Sequence, residues 1–343
     1  MAIKRRSQLA QKHTINSWRD FTLMNTSLGN MLYNLTGTWR FIRPIYEDKV
    51  PACQNACPAG NDIEAWIKLL LQGKDEKAYQ CLKREQPFPS VLGRVCFHYC
   101  ETSCNRQHLD DPIRINALER FIGDRFLDTM PRPDLPTDNN KSIAVVGSGP
   151  AGMSAAYFGR RLGFQVTVFE KESVPGGILR IGIPSFRLPR EIVDKEFIGL
   201  QSMGVQLKLN TVIGAELTTI EHLKNDHDYV FLATGCHAGL KLGIKGADRS
   251  PDVINGLDYL KQAALEESIK IGPEVVVIGG GNTAIDTART AVRMGSDVRI
   301  VYRRSPDEMP AHPQEVRLAR EEGVQFQFLA APREIELNDD GSI

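Results

Sequence analysis

At 343 residues the chain is long enough for two or three units that each bury a core. Lys plus Arg number 42 and Asp plus Glu also number 42, so no net field favours nucleic acid or an anionic membrane surface. No run of 18 apolar residues occurs, and the basic start Met1-Ala2-Ile3-Lys4-Arg5-Arg6 has no apolar stretch behind it. The expectation is a cytoplasmic protein without a membrane span. In that reducing compartment, clustered cysteines hold metal more often than they form disulfides.

Residues 1–50 read as a polar arm with scattered aromatics (Trp18, Phe21, Tyr33, Trp39, Phe41, Tyr46) and no clear period. Residues 51–136 read as a helical, loop-rich region. Ile63, Trp66, Ile67, Leu70, Leu71, Ala78 and Leu82 recur at helical spacing, and Gly73 divides them into two short helices. A further helix fits 115–126, with Leu118, Ile122 and Phe126 on one stripe. This region carries Cys53-x3-Cys57-Pro58 and Cys96-x3-Cys100-x3-Cys104. Iron–sulfur clusters need thiolates presented from tight loops, and a Cys-Pro ending is a recurrent ferredoxin feature. Four thiolates also suit zinc, but zinc knuckles usually leave two residues between cysteines and every short gap here is three. Iron–sulfur is the favoured reading, with zinc and buried free thiols as alternatives. Cys81, on an apolar stripe, and Cys236 read as buried core residues.

Pro131, Pro133 and Pro136, followed by a polar run to Lys141, make a linker, and beyond it the texture is α/β. In the region 141–260, a strand at 142–146 leads through Gly147-x-Gly149-Pro150-Ala151-Gly152 into a helix, and a second strand at 165–169 ends in Glu170. The three glycines serve a tight turn, close approach to a pyrophosphate and close helix-on-strand packing. The helix start offers free N–H groups to phosphates, and Glu170 stands where a carboxylate accepts ribose hydroxyls. Gly176-Gly177 is either a plain turn or a place where the chain passes close to a flavin nucleotide. Residues 228–235 read as a buried strand ending in Ala233-Thr234-Gly235.

The region 261–343 repeats the pattern: a strand at 275–278, Gly279-x-Gly281-Asn282-Thr283-Ala284, a helix, and a strand at 298–302. Alanine is tolerated in the third glycine position because that position governs only packing. Arg303 and Arg304 occupy the place of the acid; guanidinium groups there suit a 2′-phosphate and hence NADPH, or else form a solvated basic edge. Asp286 reads as a surface or locally hydrogen-bonded acid. One acid-terminated and one arginine-terminated unit suggest FAD and NADPH. No cysteine pair lies in 141–235 to act as a redox disulfide, so the N-terminal cluster is the route for electrons leaving the flavin.

The expected fold class is α/β: an N-terminal α-helical iron–sulfur domain followed by two Rossmann-like dinucleotide-binding units of the glutathione-reductase kind, C-terminally incomplete. From about Pro51 onward the chain resembles the small subunit family of NADPH-dependent glutamate synthase. Relatives of that family include the flavin subunit of NADH-dependent ferredoxin:NADP oxidoreductase and the N-terminal part of dihydropyrimidine dehydrogenase. The resemblance rests on the cysteine runs, Gly93-Arg94-Val95-Cys96, Asp111-Pro112-Ile113, both glycine loops, Gly182-Ile183-Pro184-x-Phe186-Arg187-Leu188-Pro189, Ala233-Thr234-Gly235 and Tyr302-Arg303-Arg304.

It implies FAD on the first unit, NADPH on the second, and electrons moving from NADPH through FAD to 4Fe-4S clusters and on to a partner. No side chain is expected to act as a catalytic acid or base. By position it implies Cys57, Cys96, Cys100 and Glu119 as ligands of one cluster, with Cys53 or Cys104 able to replace Glu119. A second cluster on Cys53 and Cys104 would lack two ligands, because Ile45 and Asp48 stand where the family has cysteines. One cluster is therefore expected. The chain also stops inside the second unit, which implies a fragment or a separate chain completing the FAD and NADPH domains. The implied partner is a larger catalytic or electron-accepting subunit; the alternative function is a non-catalytic wiring or scaffold subunit.

Overall fold

The computed structural model describes the backbone of residues 4–5 and 42–43, and residues 49–131, 133–214, 218–239, 241–265, 269, 271–338 and 343. The expected N-terminal arm, with Ile45 and Asp48, falls almost wholly outside them. The chain divides into a unit of residues 1–51 and one of 52–343. In the first, β1 (Lys4–Arg5) and β2 (Ile42–Arg43) pair antiparallel.

The larger unit begins with six helices: α1 (Ala52–Ala56), α2 (Ile63–Leu71), α3 (Asp75–Leu82), α4 (Pro89–Val95), α5 (Tyr99–Thr102) and α6 (Ile115–Phe126). Asp62 starts α2 by accepting the Ala65 N–H at 3.2 Å, and Gly73, at φ +70°, separates α2 from α3 as the sequence predicts. Ile63, Trp66, Ala78, Tyr79, Leu82, Ile115 and Ile122 form their core, with Cys81 buried among them as expected. Helices α4 and α6 cross at backbone contact. A Cβ on Gly93 would fall 2.6 Å from the Arg120 Cα, and one on Gly123 would fall 2.6 Å from the Ser90 N. Arg94 bolts the crossing through two hydrogen bonds to Asp124, at 2.7 and 2.8 Å.

The α/β part follows as β3 (Ser142–Val146), α7 (Pro150–Arg161), β4 (Gln165–Phe169), α8 (Ile178–Ile181), α9 (Arg190–Ser202), β5 (Gln206–Lys208), α10 (Ile220–Asp226) and β6 (Tyr229–Leu232). These strands form a parallel sheet of order β5-β4-β3-β6. One face packs Val145, Val166 and Val168 against Met153 and Tyr157 of α7 and Val193, Phe197 and Leu200 of α9. Phe88, Val91 and Leu127 of the helical region enter the same core, so the two regions are fused by shared apolar burial. The second α/β stretch is α11 (Gly256–Leu265), β7 (Glu274–Ile278), α12 (Asn282–Arg293), β8 (Asp297–Tyr302), α13 (Pro313–Glu321) and β9 (Gln325–Phe328), with parallel order β7-β8-β9.

One expectation needs correcting. The strand at 228–235 is not buried: Tyr229, Phe231 and Leu232 are 49%, 45% and 56% exposed. The sequence is apolar enough for burial on both sides, but the described residues do not cover that part of β6. Val276 of β7 is likewise 63% exposed, while Val277 beside it points into the core at 8%. Among the described residues no helix is long and apolar enough to cross a membrane.

Candidate functional site

The thiols sort into two groups. Cys57 follows α1, Cys96 caps the C-terminus of α4, and Cys100 lies in α5, which packs on α1. The close α4–α6 crossing brings Glu119 to this set. Burial pushes the Cys100 thiol up to about 12, with the nearby Cys96, Glu101, Cys57 and Glu119 adding to the rise. Burial likewise raises Cys96, and Glu119 and Cys57 act on it in the same direction. Cys53 and Cys104 form the other group: burial raises Cys53, and the neighbouring Cys104 adds to the rise. All seven cysteines are free thiols. Among the described residues no three His, Cys, Asp or Glu side chains close around a point that a single metal ion would occupy.

Two features brace the first set. His98, in the left-handed region at φ +56°, turns the chain so that its N–H donates to the Cys96 Sγ at 3.5 Å. Glu119 is only 7% exposed, and burial pushes its carboxyl up to about 8 against the opposing hydrogen bond from Gln86.

The first glycine loop is tightly built. Gly147, at φ +102°, would place a Cβ 2.3 Å from the Ala233 O, and a Cβ on Gly152 would fall 1.9 Å from the Gly147 O. A Cβ on Gly177 would lie 2.8 Å from the Gly149 Cα. Thus Gly147, Gly149, Gly152, Gly177, Ala233 and Thr234 converge where Pro150 and Ala151 begin α7. Glu170 is 5% exposed; its Oε2 accepts the Ser148 N–H at 2.9 Å and the Ser148 hydroxyl, and its Oε1 accepts the Glu172 N–H at 3.0 Å. Gly176 N–H completes the turn by donating to Ser148 Oγ at 3.0 Å. Gly235, at φ +70°, lies beyond β6 against His237.

The second loop is more open. Gly281 caps α12, and a Cβ added there would meet nothing within 4 Å, while one on Gly279 would meet only Ala284, at 3.6 Å; Gly280 between them is close-packed, with a Cβ there 2.6 Å from the Tyr302 ring. Asn282 Oδ1 accepts the His312 N–H at 3.0 Å, and Thr283 and Ala284 continue the first turn of the helix. Arg303 and Arg304 are exposed directly after β8, at the end of the same parallel sheet as the loop. The His312 ring stacks on Phe97 at 5.8 Å between centroids and meets His98 edge-on at 6.1 Å, so the Cys96 loop touches the second glycine loop's support.

Two expectations are overturned. Cys236 is exposed, because it lies in an irregular stretch beyond the sheet. Asp286 is no surface acid: it is 4% exposed and accepts two hydrogen bonds from Arg187, at 2.9 and 2.7 Å. Burial raises its carboxyl to about 6 despite Arg187 beside it. Arg187 also meets Glu315, which binds Arg289, while Glu322 binds Arg289 and Arg293 and both guanidiniums cover the Phe186 ring. This network joins the first α/β stretch to the second. The motif Phe186-Arg187 was visible in sequence, but its partners, 99 residues away for Asp286, were not.

Residues 141–343 match the pyridine nucleotide-disulphide oxidoreductase family, and residues 46–130 match the dihydropyrimidine dehydrogenase domain II, 4Fe-4S cluster family. The chain is 39% identical over 306 residues to the NADP(+)-dependent formate dehydrogenase subunit beta of Moorella thermoacetica, covering 82% of this chain and 43% of that protein. It is 34% identical over 308 residues to the glutamate synthase [NADPH] small chain of Escherichia coli K12, covering 85% and 65%. The fold is similar to that of 6-hydroxypseudooxynicotine amine oxidase from Pseudomonas geniculata N1, with TM-score 0.51 and 23% identity over 80% of this chain and 40% of the other. The chain spans less than half the length of the formate dehydrogenase subunit. The iron–sulfur and dinucleotide modules thus stand in the order read from the sequence, and the chain belongs to the pyridine nucleotide-disulphide oxidoreductase family.

Proposed function

We propose that this chain is the electron-input subunit of a larger redox complex, passing electrons from NADPH through FAD to one 4Fe-4S cluster and on to a partner subunit. When bound, these groups supply hydride acceptance, division of the electron pair and one-electron transfer. The chain's own residues hold and orient them. Cys57, Cys96, Cys100 and Glu119 fit one cluster, being three free thiols and a buried carboxylate within one electrostatic neighbourhood. Cys53 and Cys104, which neighbour each other, are the alternatives to Glu119 as the fourth ligand.

The cradle at Gly149 and Gly177, which a side chain would fill, suits the FAD pyrophosphate at the start of α7, and Glu170 would accept ribose hydroxyls with the lone pairs that Ser148 and Glu172 leave free. The open Gly281 corner suits the NADPH pyrophosphate, and Arg303 and Arg304 suit its 2′-phosphate. The observation that carries the reading is the joining of the parts: α4, which Cys96 caps, shares a core with the first nucleotide stretch, and the Cys96 loop touches the second at His312. The open faces of β6 and β7 fit a further segment or chain that completes both sheets, and a larger electron-accepting subunit beyond it.

Anaerobic purification followed by iron, sulfide and flavin analysis tests the proposal, together with a measurement of NADPH-driven dye reduction. About four iron and four sulfide per chain are expected, together with FAD. Zinc in place of iron, with no NADPH-driven dye reduction, overturns it. A full cluster without FAD points instead to the wiring or scaffold role.

A further inference from the structure

Three polar side chains lie in line inside the helical region's core. Asn61 is 2% exposed, Gln86 is 5% and Glu119 is 7%, among Ile63, Trp66, Leu82, Ile115 and Ile122. Buried polar groups at such positions are costly unless satisfied, and of these side chains Asn61 leaves its Oδ1 without a partner. Asn61 Nδ2 donates to the Leu82 carbonyl at 3.3 Å and to Gln86 Oε1 at 3.4 Å. The amide of Gln86 is thereby oriented, with its oxygen toward Asn61 and its Nε2 toward Glu119, where it donates to Oε1. One carboxylate oxygen of Glu119 is occupied from behind. Glu119 in turn lies near enough to Cys96 and Cys100 for its charge to raise both thiols.

The geometry points to Gln86 as a positioning residue for the cluster: held by Asn61, it fixes which oxygen of Glu119 faces the iron and, through its N–H, sets the cluster's reduction potential. The inference rests on Glu119 as an iron ligand. Partners of first ligands orient them and tune the metal, and a hydrogen bond to an anionic ligand withdraws charge from it. The reduced cluster is the more negative state, so the donor stabilises reduction and its loss lowers the midpoint potential. A merely structural Gln86 would affect folding and leave the potential where it is.

The test is an EPR-monitored redox titration of the anaerobically purified chain as wild type, Gln86→Leu and Asn61→Ala, with Ile122→Val as an apolar control in the same core. The expected result is a lowered midpoint potential in Gln86→Leu with an altered EPR signal, a smaller shift of the same sign in Asn61→Ala, and none in Ile122→Val. Where Gln86→Leu loses its cluster, the lowered potential of Asn61→Ala still supports the assignment. Unmoved potentials in cluster-bearing variants overturn it, as does cluster loss in Gln86→Leu with an unmoved Asn61→Ala. A fourth variant separates the premise from the inference: an EPR signal unchanged by Glu119→Ala removes Glu119 as a ligand, whatever Gln86 does.

Discussion

The two dinucleotide stretches share a strand-loop-helix plan and differ in how far the protein has finished them. In the first, Gly147 is pressed on Ala233, Gly152 on Gly147 and Gly177 on Gly149, and the buried Glu170 is tied into the loop through Ser148. In the second, Gly280 is pressed on the Tyr302 ring, but Gly281 faces open space and the arginines that follow β8 are exposed. The joints differ in the same direction. The first stretch is fused to the helical region by shared apolar burial, whereas the second meets the first through Arg187, Asp286, Glu315, Arg289 and Glu322. A pre-formed, enclosed loop suits a resident nucleotide; an open loop on a charged joint suits one that exchanges.

The sharpest way to break this comparison is at the charged joint. Asp286→Ala leaves the Arg187 guanidinium, whose side chain is 11% exposed, without its main partner. Removing one member of such a buried pair costs about 3–5 kcal/mol, whereas replacing both with apolar residues is often near neutral. Denaturant unfolding should therefore show a large loss in Asp286→Ala and recovery in Arg187→Met/Asp286→Leu. Equal losses in both would mean that the joint is held by something other than this pair.

The buried acids offer a second contrast. Asp286 has a guanidinium partner, but Glu196 of α9, 2% exposed, faces Lys83, and burial pushes its carboxyl up to about 7 in spite of that lysine. A raised carboxyl means that the folded chain holds more protons than the unfolded one between about pH 4.5 and 7. Stability from Glu196 is thus greatest below that window and falls as pH rises through it, by on the order of 3 kcal/mol. Glu196→Gln should flatten the decline between about pH 5 and 8 in urea midpoints. A wild-type curve that rises over this range would contradict the assignment of Glu196 as a buried, proton-holding acid.

Next in size is an exchange between the loops. The third loop position is Gly152 in the first stretch and Ala284 in the second, and the sequence rule treats the two as equivalent. The structure does not, because a Cβ on Gly152 would sit 1.9 Å from the Gly147 O. Gly152→Ala should cost about 1–3 kcal/mol through overpacking. Ala284→Gly should cost only about 1 kcal/mol, the helix-propensity difference. Thermal unfolding of the two variants reads the difference directly.

The legible part of this molecule was the part written locally. Both glycine loops, their strands and helices, and the break at Gly73 follow from patterns within some thirty residues of chain, where periodicity and turn chemistry act. Short spacings marked five cysteines, Cys53, Cys57, Cys96, Cys100 and Cys104, as a thiolate region, but spacing did not say which of them act together. What escaped were contacts between distant segments. Arg187 finds Asp286, Gln86 finds Glu119 and Lys83 faces Glu196 only after the helices have packed, and no spacing announces those encounters. Polar residues that look like surface in one dimension, Asp286 above all, become interior once a partner arrives from another element. The apolar run of β6 misled in the opposite sense, since residues apolar enough for burial stay open unless another segment covers them.

The smallest effect concerns recognition rather than stability, and it bears most directly on the openness of the second loop. Arg303 and Arg304 are exposed, so they contribute little to folding, and a double change to alanine should leave unfolding almost unmoved. Their proposed role is to meet a 2′-phosphate that NADPH has and NADH lacks. Charge-assisted hydrogen bonds of this kind are worth about 1.5–3 kcal/mol, so kcat/KM for NADPH should fall about 10- to 100-fold while that for NADH changes little. The ratio of the two is the measurement that matters, since a general weakening of the site would lower both. If both cofactors lose equally, the arginines form a solvated basic edge, and the open loop must choose its nucleotide by other means.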